Sequence, residues 1–430
     1  MKNKHYATQG AMKTGLLFIF LGLFVWAPWA FAMGNIHLGR LEINPELSYK
    51  GEYNDNIYFE NSNEDSDFIH TITPGIGLKF TGTPGNFFSA GYKLGIVMYN
   101  DDDDNDYEDH RAFVSAGLKT PKGLYLKVKD GFQDTEDPFD SKEEFRLGEQ
   151  TKRWNNLVNI IAGFEFAEIY CIEATYNNFV ERYDRTKDEF QDTIENTYGI
   201  AVLYNLTPKT ALLCQYLRDD SEYDAQNDGI DVNRDGFDEW NSGNSQDYVI
   251  DRFLIGARFK PGGKLSGELK FGYGTIDFDN DVDKNGNKYN DDSFFAMKAN
   301  VGYKPVEKTS LSLILNRYKE ASTSADVSDD VSATYVRTII GLGLTQNFTN
   351  RISANLGFEW SNKDYEDERA GSPKKELDLY TTRCGIDYFI NDWLSAGLSY
   401  KYQDNQASRS QYDYDEYTVN TVAFKLTGKF

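Results

Sequence analysis

The chain has 430 residues, of which 40% are hydrophobic and 15% aromatic, and its formal charge is −23. Because a surface this acidic repels polyanions, we expect no nucleic acid partner. After the first 32 residues no run of about 18 apolar residues occurs, which excludes a helical membrane protein.

The first residues have the features of an export leader. Three lysines, Lys2, Lys4 and Lys13, precede the apolar run GLLFIFLGLFVWAPWAFA, and no acidic residue accompanies them. A basic start, a short apolar core and a small-x-small end predict a signal peptide, residues 1–32, cleaved after about Ala32. Residues 33–430 would form the mature domain, which is more acidic still because cleavage removes three lysines.

Four segments of the mature chain alternate apolar residues with polar or small ones. In chain order they are 87–98, 265–274, 352–361 and 394–402. This period of two is typical of β-strands with one apolar face, and several of these faces end in aromatic residues. We therefore expect strands that turn one face toward an apolar environment.

The predicted connections sort by length. Long acidic segments such as NDDDDNDYEDH alternate along the chain with tight turns. This alternation predicts an all-β protein, a transmembrane antiparallel outer-membrane β-barrel of about 18 strands, with short periplasmic turns and long acidic extracellular loops. The alternative is a pair of soluble β-sandwiches. The eight tight turns are predicted at 83–86, 121–123, 167–169, 207–209, 261–264, 305–308, 347–350 and 389–392.

Two predicted external loops have the spacing of a calcium-binding loop. In DVDKNGNKYNDD, the side chains of Asp281, Asp283, Asn285 and Asp292 and the Asn287 carbonyl could surround Ca²⁺. The alternative is an ordinary solvated acidic turn, because Asp, Asn and Gly are also common turn residues. Calcium is therefore a candidate ligand, and no cofactor is required. A second, poorer candidate loop contains Asp231, Asn233 and Asp235.

The last nine residues, VAFKLTGKF, predict a terminal barrel strand. Val422, Phe424, Leu426 and Phe430 alternate on one face, although Gly428 interrupts the ladder. Such a strand looks like the one that the barrel-assembly machinery recognises. We expect that machinery, together with lipid and lipopolysaccharide of the outer membrane, to be partners of the chain.

The strand faces opposite the apolar ones would line the lumen. Charges of both signs predict a wet interior without strong ion selectivity, although a local ring of charge could still bias selectivity. About 18 strands are enough to leave an aqueous channel. Most aromatic residues are predicted to face outward, with Tyr99 among the few that point inward. The charged residues predicted to face the lumen are Lys93, Glu173, Glu268, Lys270, Lys298, Glu359, Arg383, Asp387 and Lys401.

These features predict a channel that passes hydrophilic solutes. The alternative is a structural or adhesive barrel that uses cation-binding acidic surface loops. An enzyme is not expected, because the mature chain has only His37, His70 and His110 and none lies in a recognisable Ser, Gly and His arrangement.

The segment from Ile43 to Phe80 resembles the opening hairpin of the family called putative β-barrel porin 2. That resemblance implies an outer-membrane barrel, often associated with exopolysaccharide export, and so a polysaccharide partner. It implies no catalytic or binding residue. The matching residues are Pro45, Leu47 and Tyr49 on the first strand, Asp55, Asn56, Ile57 and Tyr58 at its outer end, and Asp67, Ile69, Ile72, Pro74 and Gly75 on the return.

Overall fold

The computed structural model describes most of the predicted mature domain. The predicted signal peptide and most of the long loops lie outside the described part. Among the described residues no helix is both long and apolar enough to span a bilayer. The described ranges are 36–137, 150–167, 169–184, 191–223, 247–279, 292–321, 334–365 and 374–430.

Nineteen strands are present in the described residues, and all but the first are 12 to 15 residues long. They are β1 (Ile36–Leu38), β2 (Leu41–Asn54), β3 (Asp67–Thr81), β4 (Phe87–Tyr99), β5 (Tyr107–Lys119), β6 (Leu124–Thr135), β7 (Arg153–Phe166), β8 (Tyr170–Tyr183), β9 (Thr193–Thr207), β10 (Thr210–Tyr223), β11 (Tyr248–Phe259), β12 (Leu265–Phe278), β13 (Asp292–Val306), β14 (Thr309–Ala321), β15 (Thr334–Asn347), β16 (Ile352–Tyr365), β17 (Glu376–Phe389), β18 (Leu394–Ala407) and β19 (Tyr417–Lys429).

The long strands form one closed antiparallel barrel. From β2 to β19 each strand pairs with its neighbours in sequence, and β19 pairs with β2 from Thr421 opposite Asn54 to Lys429 opposite Glu46. The predicted barrel of about 18 strands is confirmed. The short strand β1 was not predicted, and it pairs with the first residues of β2, Leu41 to Ile43.

The eight tight turns lie where they were predicted. They connect β3 to β4, β5 to β6, β7 to β8, β9 to β10, β11 to β12, β13 to β14, β15 to β16 and β17 to β18. The turn from β5 to β6 shows why glycine is needed. Gly123 has a φ of 91°, and a Cβ at that position would lie 2.2 Å from the Glu165 carbonyl oxygen of β7. Only glycine tolerates both the left-handed backbone and this close approach.

Large apolar side chains cover the outside of the barrel. On β12, Leu265, Phe271 and Tyr273 are exposed, whereas the alternate residues Lys270 and Ile276 are buried. Six successive outward positions of a tilted strand span ~25 Å along the membrane normal, which matches the apolar band of an outer-membrane barrel. The exposed apolar surface therefore fits contact with lipid.

The seam between β2 and β19 is reinforced at the loop end by the segment DNIY, residues 55–58. The Asp55 carboxylate accepts hydrogen bonds from the backbone and side-chain nitrogens of Asn420, at 2.7 and 2.8 Å. The fully buried Asn56 donates to the carbonyls of Thr418 and Glu60. These bonds tie the first long-strand hairpin to the last strand, and we call them the seam lock.

The same segment also holds the loop between β4 and β5. The Tyr58 hydroxyl donates to the Asp102 carboxylate and accepts from the Asn105 amide at 2.8 Å. Partial burial, with the hydrogen bond to Asp102 second, raises the pKa of Tyr58 to about 12, so its hydroxyl stays a donor near neutral pH. Buried Asp67 accepts hydrogen bonds from the backbone N–H groups of Asn100, Asp101 and Asp102 in the same loop. The motif that resembles the family hairpin thus has a structural role.

Candidate functional site

The lumen is the candidate functional site. The strand register places the nine charged residues predicted to line it on the face opposite the exposed apolar side chains. For example, Lys270 of β12 lies directly opposite Lys298 of β13, and Arg383 of β17 lies directly opposite Lys401 of β18. The outward residues Phe271, next to Lys270, and Tyr400, next to Lys401, are exposed.

One part of the lumen wall holds its charges in ion pairs. Arg258 of β11 reaches Glu173 of β8 through two parallel hydrogen bonds, Nη1 to Oε1 at 2.8 Å and Nη2 to Oε2 at 2.7 Å. Its Nε also donates to the Glu268 carboxylate of β12. Bidentate pairs of this kind are among the stronger charge-assisted hydrogen bonds, so Arg258 fastens three strands together from inside.

The hydrogen-bond network around Arg258 extends to Tyr125 of β6 on one side and to Lys270 of β12 on the other. The Tyr125 hydroxyl of β6 donates to Glu173 and lies 3.4 Å from the Cys171 sulfur. At the other end, Lys270 contacts Glu268 at 2.7 Å and donates to the Gln215 oxygen at 3.1 Å. We call this region, built from Tyr125, Glu173, Arg258, Glu268 and Lys270, the paired wall. A recess of about 430 Å³ lies beside it, near the short-turn end, and includes Lys127.

Tyr125 owes its position to a glycine on the next strand. Gly163 of β7 lies directly opposite Tyr125, and a Cβ there would be 2.1 Å from the phenol ring. The absence of a side chain lets the ring lie flat along the wall, where it covers Cys171 and the small residues Ala201 and Ala211. The phenol thereby reaches Glu173.

The opposite case occurs on β17, β18, β19 and β2, on both sides of the seam. Arg383, Lys401 and Lys425 point inward there, and among the described residues none of them has a carboxylate oxygen within 4.0 Å. Lys50 of β2 lies directly opposite Lys425 and contacts Glu52 at 3.0 Å. We call these four residues the cationic wall.

More aromatic side chains face the lumen than predicted. Tyr99 is buried on the inner face as expected, beside Ile69 and Val97. The structure adds Tyr125 near the short-turn end, Phe113 near the middle of β5 and Phe294 near the loop end. Most aromatic residues of the described strands face outward as predicted, but the inner face at the loop end has more of them than expected. Buried inner aromatic residues there also include Tyr248, Phe278, Tyr335 and Tyr365.

The sequence patterns did not identify several inner residues of the paired wall and of the cationic wall. Arg258 lies in LIGARF, where Leu254, Gly256 and Arg258 alternate with exposed Phe253 and Ile255. Extending the alternation into this segment would have placed Arg258 inside. Alternation would also have placed Lys425 and Lys50 on the inner face, but it does not show which residues they face on neighbouring strands.

The candidate calcium loops lie mostly outside the described residues. This applies to Asp281, Asp283, Asn285 and Asn287, and to Asp231, Asn233 and Asp235. Asp292 is described at the start of β13, where its carboxylate accepts a hydrogen bond from Lys319 at 3.2 Å. Within the described ranges no group of three or more His, Cys, Asp or Glu residues is suited to hold a metal ion. Calcium binding by these loops stays a hypothesis.

Two histidines contact tyrosines on the outer face. His70 Nδ1 lies 2.9 Å from the Tyr49 hydroxyl, and His110 Nδ1 lies 2.7 Å from the Tyr92 hydroxyl. His37 has no such contact with a tyrosine of the described residues; it lies in the short strand β1, directly opposite Glu42. The three free cysteines are Cys171, Cys214 and Cys384.

Comparison with solved structures finds barrels of the outer membrane. The siderophore receptor PirA from Pseudomonas aeruginosa is 8% identical, with a TM-score of 0.42, and the match covers 90% of this chain and 80% of that one. OpdK from the same organism is 9% identical, with a TM-score of 0.44 and coverage of 90% and 98%. Outer-membrane expressed OmpT of Vibrio cholerae is 11% identical, with a TM-score of 0.35 and coverage of 92% and 100%. No curated protein matches the chain.

The family comparison gives a closer relationship. The model described as putative beta-barrel porin 2 matches residues 173–429, from β8 to the end of β19, which is more than half of the chain. The match begins after the hairpin at Ile43 to Phe80 that carried the sequence resemblance, so two separate regions indicate the same family. The chain belongs to the putative beta-barrel porin 2 family.

Proposed function

We propose that this outer-membrane barrel is a passive channel for hydrophilic solutes. The observation that carries the proposal is the exposure of charged side chains inside a closed barrel. Lys93, Lys129, Arg383, Asp387 and Lys425 all lie on the inner face and remain exposed. Because a closed sheet separates them from the outside, the space that exposes them is the lumen, and it is wide enough for water.

The more specific use that we propose is export of a polysaccharide. Phe113 of β5 and Leu157 of β7 lie on the inner face, opposite each other across Gly131 of β6, and 45% and 48% of their respective surfaces are exposed. Apolar side chains exposed to a water-filled lumen offer surfaces on which the apolar faces of sugar rings can pack. We propose no catalytic role for the chain.

Conductance in a planar lipid bilayer tests the channel. We expect discrete current steps from the purified, heat-modifiable barrel, and maltohexaose added to one side should interrupt them if sugars enter the lumen. Consistently silent preparations would contradict the channel and favour a structural or adhesive barrel. Open steps without any block by sugars would retain the channel and contradict the polysaccharide.

A pair of variants links the current to this lumen. Gly131→Trp adds a large side chain at an inner position around which a Cβ would meet nothing within 4 Å. We expect the conductance to fall, because the new side chain takes up part of the open cross-section of the lumen. Leu126→Trp places the same side chain on the outer face of the same strand and is the matched control, with unchanged conductance.

A further inference from the structure

Cations face one another across neighbouring strands of the lumen wall. Residues directly opposite on antiparallel strands have Cβ atoms ≈ 4.5–5.5 Å apart, and like charges at this spacing are destabilising. The described strands nevertheless place five cation pairs in this relation on the inner face. The pairs are Lys93 with Arg111, Lys270 with Lys298, Arg337 with Lys363, Arg383 with Lys401, and Lys50 with Lys425.

No inner carboxylate of the described strands lies directly opposite another carboxylate. Glu173 faces Gly163 and Ala201, Glu359 faces Gly341 and Thr381, and Asp387 faces Ser353 and Gly397. The chain has 68 acidic and 45 basic residues, so its composition alone would favour acidic pairs over basic ones. Among directly opposed like charges, the inner face therefore favours cations, whereas the whole chain has an excess of acidic residues.

Carboxylates offset some of these cation pairs but not all. Lys93 contacts Glu46 at 3.0 Å, Arg111 contacts Asp109 at 2.7 Å, and Lys270 contacts Glu268 at 2.7 Å. In the cationic wall, Arg383, Lys401 and Lys425 have no such contact among the described residues. Arg383 and Lys425 are exposed to the lumen, so their charges are available to a solute.

The position of this wall favours an effect on passing ions. Its residues lie on four consecutive strands, so the positive charges are spread along one side of the lumen. A water-filled cleft with low-dielectric walls focuses the field of such charges and raises the local concentration of counter-ions. Folding gains nothing from opposed cations, which points to a role in contact with solute.

We propose that the cationic wall selects solutes that carry carboxylate or phosphate groups. This inference rests on the proposed channel and names its substrate class. The lumen would pass anions in preference to cations although the protein as a whole is strongly acidic. For a polysaccharide, the class would be an acidic one, with its carboxylates moving along Lys50, Lys425, Lys401 and Arg383.

The reversal potential under a KCl gradient measures the preference directly. We expect a chloride to potassium permeability ratio of about 3 or more at low salt, declining toward unity as salt screens the wall. Trigalacturonate should interrupt the current at lower concentration than maltotriose, which has the same number of sugar rings without the carboxylates. A ratio at or below one in the native barrel would overturn the inference and leave the channel standing.

Charge reversal locates the effect. The double change Arg383→Glu with Lys401→Glu should lower the permeability ratio at least about threefold and abolish the advantage of trigalacturonate. Lys425→Glu, on a different strand, should act in the same direction and provides a second variant if the first does not fold. Lys122→Glu makes an equal change of charge per site in the exposed turn between β5 and β6 and should leave the ratio unchanged.

A binding measurement separates the inference from the channel. If the folded barrel is silent in bilayers, the proposed function fails, and the anion preference is then read from the trianionic dye pyranine. Its fluorescence anisotropy should rise on addition of the detergent-folded native barrel and of Lys122→Glu at low salt, but not with the double variant. Equal binding by all three proteins, or by none, would contradict the cationic wall.

Discussion

The paired wall and the cationic wall are both lined by charged residues, and they differ in what the charges contact. In the paired wall, Arg258 is fixed by two carboxylates and Glu173 by a guanidinium and a phenol. In the cationic wall, Arg383 and Lys401 face each other with no carboxylate of the described residues in contact. The same strand geometry thus supports two different uses of charge.

The two walls should therefore affect different properties of the barrel, the paired wall its stability and the cationic wall its permeation. A charge that is held by partners contributes to the rigidity of the barrel and has little left to offer a solute. An exposed charge that faces another of the same sign contributes nothing to stability and has its full field available in the lumen. Substitutions in the paired wall should therefore change stability, and substitutions in the cationic wall should change selectivity.

The largest expected effect comes from removing the centre of the paired wall. Arg258→Met leaves Glu173 and Glu268 without their common partner, and Glu173 is almost fully buried. Breaking such a pair from one side costs about 3 kcal/mol in the free energy of unfolding, because an uncompensated charge remains inside. Urea titration in phospholipid vesicles measures it. Lys129→Met, an exposed inner cation, is the control, and an equal loss there would erase the distinction between the walls.

A smaller loss is expected from Glu173→Gln. The amide keeps the shape and can still accept from Tyr125, but it has no charge for the bidentate bonds from Arg258. We expect the free energy of unfolding to fall by about 1.5 kcal/mol, which is the lower end of the contribution of hydrogen bonds that involve charged groups. Glu359→Gln changes an inner carboxylate outside the paired wall. If both substitutions have the same effect, the network around Glu173 adds no stability of its own.

The smallest effect has the opposite sign. Lys401→Gln removes the repulsion between Lys401 and Arg383, so the free energy of unfolding should stay the same or rise by about 0.5 kcal/mol. Lys270→Gln is the matched substitution in the paired wall and should lower stability, because Lys270 contacts Glu268 and Gln215. The same urea titration compares the two. Destabilisation by Lys401→Gln would show that the cationic wall is held by contacts of its own.

The architecture was predictable because its signals are local. A period of two defines a strand such as β12 within ten residues, and turns such as residues 261–264 are marked by Pro and Gly. The three residues of β1 are too few for any period. Adjacent aromatic residues such as Phe294 and Phe295 also interrupt the alternation of apolar and polar residues, since Phe294 faces the lumen and Phe295 faces outward.

The arrangement of the site was only partly predictable, because alternation gives the face of a residue and not its neighbours. It places Glu173 and Glu268 inside, but it cannot show that Arg258 reaches both from a third strand. That contact depends on the register between β8 and β12 and on the curvature of the sheet. The five cation pairs have the same origin, since each becomes visible only when neighbouring strands are aligned.

The seam lock also bears on the order of events during assembly. Asn56 and Asp55 bind residues 362 and 365 positions later in the chain, so these bonds cannot form until the last strand has arrived. Until then β2 and β19 present open edges, which are prone to pair with other strands. Contacts of such long sequence separation are expected to form late, because the intervening chain must first be ordered. Formation of the lock would therefore mark the moment at which an inserting barrel is sealed against its neighbours.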